Sequence, residues 1–140
     1  MSASFTLDAK LAGDTAPIGD LPLSRVLLKN DANYPWLILV PRRAGVIELI
    51  DLDESERVAL MAEIARAASV LKRVTNCHKL NIAALGNVVA QLHVHIIARR
   101  KDDAAWPNPV WGVAPALAYA PAARGRLIEA IRHGLQIPPV

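Results

Sequence analysis

Residues Val88 to Arg99, reading V-V-A-Q-L-H-V-H-I-I-A-R, decide how the chain is to be read. On a β-strand successive side chains point to opposite faces. Val88, Ala90, Leu92, Val94 and Ile96 then make one apolar face, and Val89, Gln91, His93, His95 and Ile97 make the other. A strand so divided is half core and half site. Two of the four histidines stand on it two residues apart and on the same side. That spacing suits two jobs: gripping one metal ion, or acting together on one phosphorus or carbonyl centre.

The segments around this strand predict an α+β domain. Upstream, Leu21 to Asn30 and Trp36 to Val40 are β-leaning runs separated by the turn-rich Asn30-Asp31-Ala32-Asn33, and they read as antiparallel neighbours. Pro41 to Gly45 ends the second run, and Val46 to Leu52 leads into a helix. Asp53 followed by Glu56 has the spacing of a capping box. Val58, Met61, Ile64, Ala65, Ala68 and Leu71 then recur at helical spacing, so the helix spans about Ser55 to Val74 and lies on the sheet. Leu80 to Ala84 reads as a further strand, with Leu85-Gly86-Asn87 turning into the histidine strand. Trp106 to Trp111, with two prolines, reads as an ordered loop segment. Ala122 to Gly134 carries a stripe of Leu127, Ile128 and Ile131 continued by Leu135, with Gly134 placed to end that helix. Residues 1–20 form an N-terminal arm in which Phe5 and Leu7 open a short strand or pin an extended segment, and 113–140 form a C-terminal extension.

The totals narrow the functional classes. A chain of 140 residues fits one domain, and 53% apolar with 21% charged residues marks it as globular. The net charge of +3 comes from scattered Lys and Arg, so no nucleic-acid partner is expected; the short run Arg99-Arg100-Lys101 could attract an anionic substrate. The single cysteine, Cys77, excludes an internal disulfide and suits a reducing compartment. No apolar run reaches the roughly 18 to 20 residues of a membrane span, and the first residues lack the features of a signal peptide. Cytoplasmic is the expected location.

His78 reads as a surface residue, and His133 suits the negative end of the last helix. For His93 and His95, a zinc site needs a third ligand. That ligand would be His78, Cys77 or a distant carboxylate, because no acidic residue follows the pair until Asp102. Nucleophilic attack at phosphorus needs none: one neutral imidazole attacks, and a second group on the same face stabilises charge or steers a proton. The Gly86-Asn87 turn supplies phosphate-facing donors. This second reading suits the residues better, and no metal or cofactor is expected.

Q-L-H-V-H-I-I-A-R resembles the strand of the histidine triad (HIT) family, His-x-His-x-His followed by two apolar residues. S-R-V-L-L-K-N, W-L-I-L-V-P-R-R, the long helix, N-I-A-A-L-G-N and a later W-P-N-P follow in the family's order, covering about residues 20 to 112. The resemblance implies an antiparallel sheet of about five strands with one long helix packed on it, a C-terminal helix, and a homodimer whose two sheets join into one. It implies hydrolase or transferase chemistry on the α-phosphate of a nucleoside phosphoramidate or dinucleoside polyphosphate. His93 takes the place of the nucleophile that forms a nucleotidyl-histidine, and His95 that of the last triad histidine, touching phosphate or leaving group. Asn81 and Asn87 match positions that hold phosphate or ribose, Asn30 the ribose-binding position, and Trp106 an aromatic near the partner subunit's site. The chain departs from the pattern twice, with Gln91 at the first triad position and Ala44 where many relatives carry histidine. The groups that orient His93 must therefore differ, and a non-catalytic nucleotide-binding protein on the same fold stands as the alternative.

Overall fold

The apolar runs Ser24–Lys29 (β2) and Trp36–Pro41 (β3) pair antiparallel, with Leu27 opposite Ile38. The computed structural model describes residues 4–139. Around this pair the sheet has five antiparallel strands in the order β1-β2-β3-β5-β4, where β1 is Thr15–Asp20, β4 Lys79–Ala83 and β5 Val94–Arg99. β5 sits inside the sheet, with Ile38 of β3 and Ala83 of β4 both opposite His95. Central placement explains why every residue of β5 is buried.

Helix α2, Glu54–Thr75, begins on the expected capping box: the Asp53 carboxylate accepts from the Glu56 amide and the Glu56 carboxylate from the Asp53 amide. Its buried stripe is Leu60, Ile64, Ala67, Ala68, Val70 and Leu71, packed on Val26, Leu37, Leu39, Val94 and Ile96 of the sheet. Each such leucine or isoleucine contributes about 1.5–3 kcal/mol on full burial. Glu63 lies within the stripe and is buried because its two oxygens accept the backbone N–H groups of Leu23 and Ser24. The carboxylate thus ties the helix to the start of β2.

Helix α3, Pro121–Leu135, crosses α2 and buries Ile131 and Leu135. It does not end at Gly134; Gln136, in the left-handed conformation, caps it. Gly134 faces α2 instead, where a Cβ would lie 2.5 Å from Val70 Cγ1, so its missing side chain lets the two helices approach.

Three other expectations are corrected. The first twenty residues hold a short helix α1, Ala9–Gly13, and strand β1. Pro17 and an irregularity in pairing between Pro17 and Gly19 hide β1 from a pattern search, and its place at the sheet edge tolerates both. Val58 and Met61, assigned to the buried stripe of α2, are both 65% exposed, because the stripe facing the sheet is rotated past them. The histidine strand begins at Val94 rather than Val88: Val88 to His93 run outside regular structure, and Val88 and Ala90 are exposed.

A second core covers the opposite face of the sheet: Leu27, Trp36, Ile38 and Ile97 with Leu11 of α1, Tyr34, Val89, Ala105 and Val110. Phe5 and Leu7 of the N-terminal arm pack against it. Both histidines belong to this face. Among the described residues no helix is long and apolar enough to cross a membrane.

Candidate active site around His93 and His95

His93 ends the irregular segment before β5 and His95 lies within the strand; both are buried, and their rings meet edge to face at 4.9 Å between centroids. Their hydrogen bonds assign them opposite tautomers. His93 Nδ1 lies 2.7 Å from the carbonyl oxygen of Gln91. A carbonyl only accepts, so Nδ1 carries a proton, and in the neutral ring Nε2 holds the free lone pair. His95 Nδ1 lies 3.0 Å from Nε1 of Trp36. An indole N–H only donates, so Nδ1 of His95 is the acceptor and its proton sits on Nε2. Burial, aided by the neighbouring His93 and Lys29, pushes the pKa of His95 down to about 4. The neutral pair is then one imidazole with a free Nε2 lone pair beside one uncharged N–H donor.

His93 opens into two cavities. The first, about 210 Å³, is lined by Ile47, Leu49, Ile50, Ala84, Gly86 and Leu92, with Glu48 and Leu85 at its sides. The second, about 220 Å³, adds His95, Trp111, Val89 and Asn87. Its wall carries Lys10 of α1, Asp14 just after that helix and Lys29 of β2, with the Asp14 carboxylate 3.1 Å from the Lys10 ammonium and 3.8 Å from that of Lys29. Two ammonium groups against one carboxylate leave the wall net positive. Gly86 lines both cavities and adopts φ +78°, a conformation that strains any residue with a Cβ.

Gly86 and Asn87 therefore stand beside the histidines as expected. Gln91 stands nearby but is committed elsewhere: its Oε1 accepts the Asp8 N–H at 2.8 Å and its Nε2 donates to the Thr6 carbonyl at 2.9 Å. The side chain pairs with the arm as a strand's backbone would, and the Gln91 backbone, not its amide, holds His93. Asn81 is drawn away, its Oδ1 accepting from Arg99 at 2.8 Å. The register puts Ala83 rather than Asn81 opposite His95. Asn30 does not line either cavity; the residue that projects there from the end of β2 is Lys29. Trp106 lies edge to face with His78 at 5.4 Å and under the Arg99 guanidinium at 5.5 Å, outside both cavities.

Sequence reading missed Lys10, Lys29, Trp36 and Trp111. Trp36 looked like the first residue of an apolar strand, and Trp111, 5.1 Å from the His95 ring, like part of a loop. Only the fold brings them to the histidine. Among the described residues no group of three or more His, Cys, Asp or Glu side chains converges to hold a metal ion.

A small antiparallel α+β domain, with a histidine pair at the mouth of two cavities on one face of its sheet, defines a class. The HIT domain model matches residues 12–102, and the chain belongs to the HIT family. It is 56% identical to a histidine triad protein of Bradyrhizobium japonicum, with a TM-score of 0.94 over 95% of this chain and 99% of that one. A histidine triad protein of Sinorhizobium meliloti is 44% identical, with a TM-score of 0.91 over 93% and 96% of the two chains. Curated AP-4-A phosphorylases of Mycobacterium tuberculosis are 37% identical over 81 residues, 51% of this chain and 41% of theirs. The chain thus spans about two fifths of the length of those curated relatives.

Proposed function

We propose that the protein is a nucleotide hydrolase or transferase that works on the α-phosphate of a dinucleoside polyphosphate or a nucleoside phosphoramidate through His93. The observation that carries this reading is the opposed tautomers of the pair, one free imidazole lone pair beside one fixed N–H. Nε2 of His93 attacks the α-phosphorus and forms a P–N bond while the bond to the leaving oxygen or nitrogen breaks. Water then cleaves the P–N bond, giving a nucleoside monophosphate and restoring neutral His93. Nε2–H of His95 hydrogen-bonds a phosphoryl or leaving-group oxygen; its low pKa makes it a donor rather than a store of a full proton. The leaving group takes its proton from the substrate or solvent. Amide N–H groups of the Gly86-Asn87 turn, which lines the second cavity, take the remaining phosphate oxygens.

Between the two substrate types, the Lys10 and Lys29 wall favours the polyphosphate, whose second phosphate would sit there. A second copy of the chain is proposed to cover the open edge of β4. There Leu49, Met61 and Ile82 are exposed and line an apolar hollow of about 310 Å³. Light scattering that returned a monomer at working concentration would remove this homodimer.

The deciding experiment follows intact mass and products during incubation with diadenosine tetraphosphate and, separately, adenosine phosphoramidate. A transient nucleotidyl adduct on the wild type, absent from His93→Ala, with release of AMP, is expected with and without a chelator. Binding without turnover in the wild type would leave the non-catalytic nucleotide-binding protein in its place.

A further inference from the structure

We propose that Trp36 is a positioning residue that fixes the proton of His95 on Nε2, so that the ring presents a neutral N–H donor to the cavity. The argument is one of donor and acceptor counting. The indole Nε1–H lies 3.0 Å from His95 Nδ1 and has no lone pair to offer. A His95 with its proton on Nδ1 would set two N–H groups against each other in a buried site. A doubly protonated ring would do the same. The tryptophan therefore admits one of the three protonation states.

The cavity needs that same state. Phosphoryl oxygens only accept hydrogen bonds, so a His95 turned to the other tautomer would present a lone pair to them. The ring cannot readily turn over, held by Trp36 at 5.6 Å and Trp111 at 5.1 Å between centroids, both edge to face. The charged and titratable groups that line its cavity are His93 before β5, Lys29 of β2, Lys10 of α1 and Asp14 just after that helix. His93 and Lys29 act in the same direction as Trp36, against a second proton on His95. Trp36 adds what they cannot, a choice between the two neutral tautomers.

The role of the N–H in turnover rests on the reaction proposed above, whereas the tautomer does not. The first test is long-range nitrogen–proton NMR of the imidazoles in the unaltered protein. A single His95 species, protonated on Nε2 and bare on Nδ1 throughout the neutral range, is expected. A His95 protonated on Nδ1 overturns the proposal without any variant. In Trp36→Phe, which keeps a ring but loses the N–H, His95 is expected to populate both tautomers and to titrate somewhat above about 4, still below its ordinary value because burial, His93 and Lys29 remain. There kcat should fall roughly tenfold with KM within about twofold. A variant that keeps one Nε2–H tautomer and its full kcat would reduce Trp36 to packing. If neither substrate is turned over by the wild type, the reaction fails while the tautomer and titration measurements still decide this inference.

Discussion

β5 and the residue before it carry two polar clusters on one face, and they are built on opposite terms. At one end, Arg99 is 1% exposed and every guanidinium nitrogen is used. Its Nε and one terminal nitrogen donate to the two oxygens of Asp103, and the other terminal nitrogen donates to Asn81. The Asp103 carboxylate also receives the backbone N–H groups of Arg100, Ala105 and Trp106. Burial alone would raise its pKa; Arg99 and those amides together hold it at about 2. At the other end, His93 and His95 are each tied through Nδ1 alone and leave Nε2 facing a cavity. Saturation makes the first cluster structural, and one unspent nitrogen per ring fits the second for the proposed chemistry.

Substitutions at the two ends should therefore fail differently. The largest effect is expected from His93→Ala, which should lower turnover by roughly 10⁴-fold or more while leaving the melting temperature and nucleotide binding nearly unchanged. Wild-type turnover in that protein would place the chemistry elsewhere. Asp103→Ala should do the reverse. It strands a buried guanidinium and costs about 3–5 kcal/mol of stability, read from the shift in urea midpoint.

Acid titration separates the two ends further. His95 has a folded pKa below its unfolded value, so the unfolded chain binds the extra proton first. Its contribution to stability is complete above pH 6.5 and declines as the pH falls from there to about 4. The contribution of Asp103 is complete above its ordinary pKa of 3.8 and is lost as the pH falls through about 2. Urea melts across this range should show His95→Asn flattening the upper window and Asp103→Asn the lower. A wild-type profile without any slope between pH 6.5 and 4 would contradict the neutral His95.

The smallest effect belongs to Gln91, whose side chain stands between the two ends in role. Gln91→Ala should cost about 1–2 kcal/mol, release the amide of Asp8 to faster hydrogen exchange, and change turnover only a few-fold. Loss of activity comparable to that of His93→Ala would mean that the amide orients the nucleophile after all.

Much of this fold is legible in the sequence because it depends on local pattern. The capping box at Asp53, the apolar runs that become β2 and β3, and the stripe of α3 all announce themselves within a dozen residues. The histidine pair is legible for the same reason, since two residues apart in or beside a strand means one face. β1 is not, because its Pro17 and Gly19 break the pattern and only pairing with β2 makes it a strand. Asn30, Asn81 and Trp106 show the limit more sharply. The residue types of the two asparagines suit a phosphate or a ribose, but the register gives Lys29 and Ala83 the places near the histidines; Trp106, expected beside a partner subunit's site, is bound through its backbone N–H to Asp103 and lies under Arg99.

By itself, then, the sequence determined the class of fold, the long helix, and the two histidines on which the proposed chemistry is centred. The tertiary structure alone decided their protonation states. A tautomer is chosen by the partner of the other nitrogen, and those partners are a carbonyl two residues away for His93 and a tryptophan 59 residues away for His95. The first could have been found by local reasoning. The second exists only because β3 and β5 lie side by side, which no spacing in the chain records.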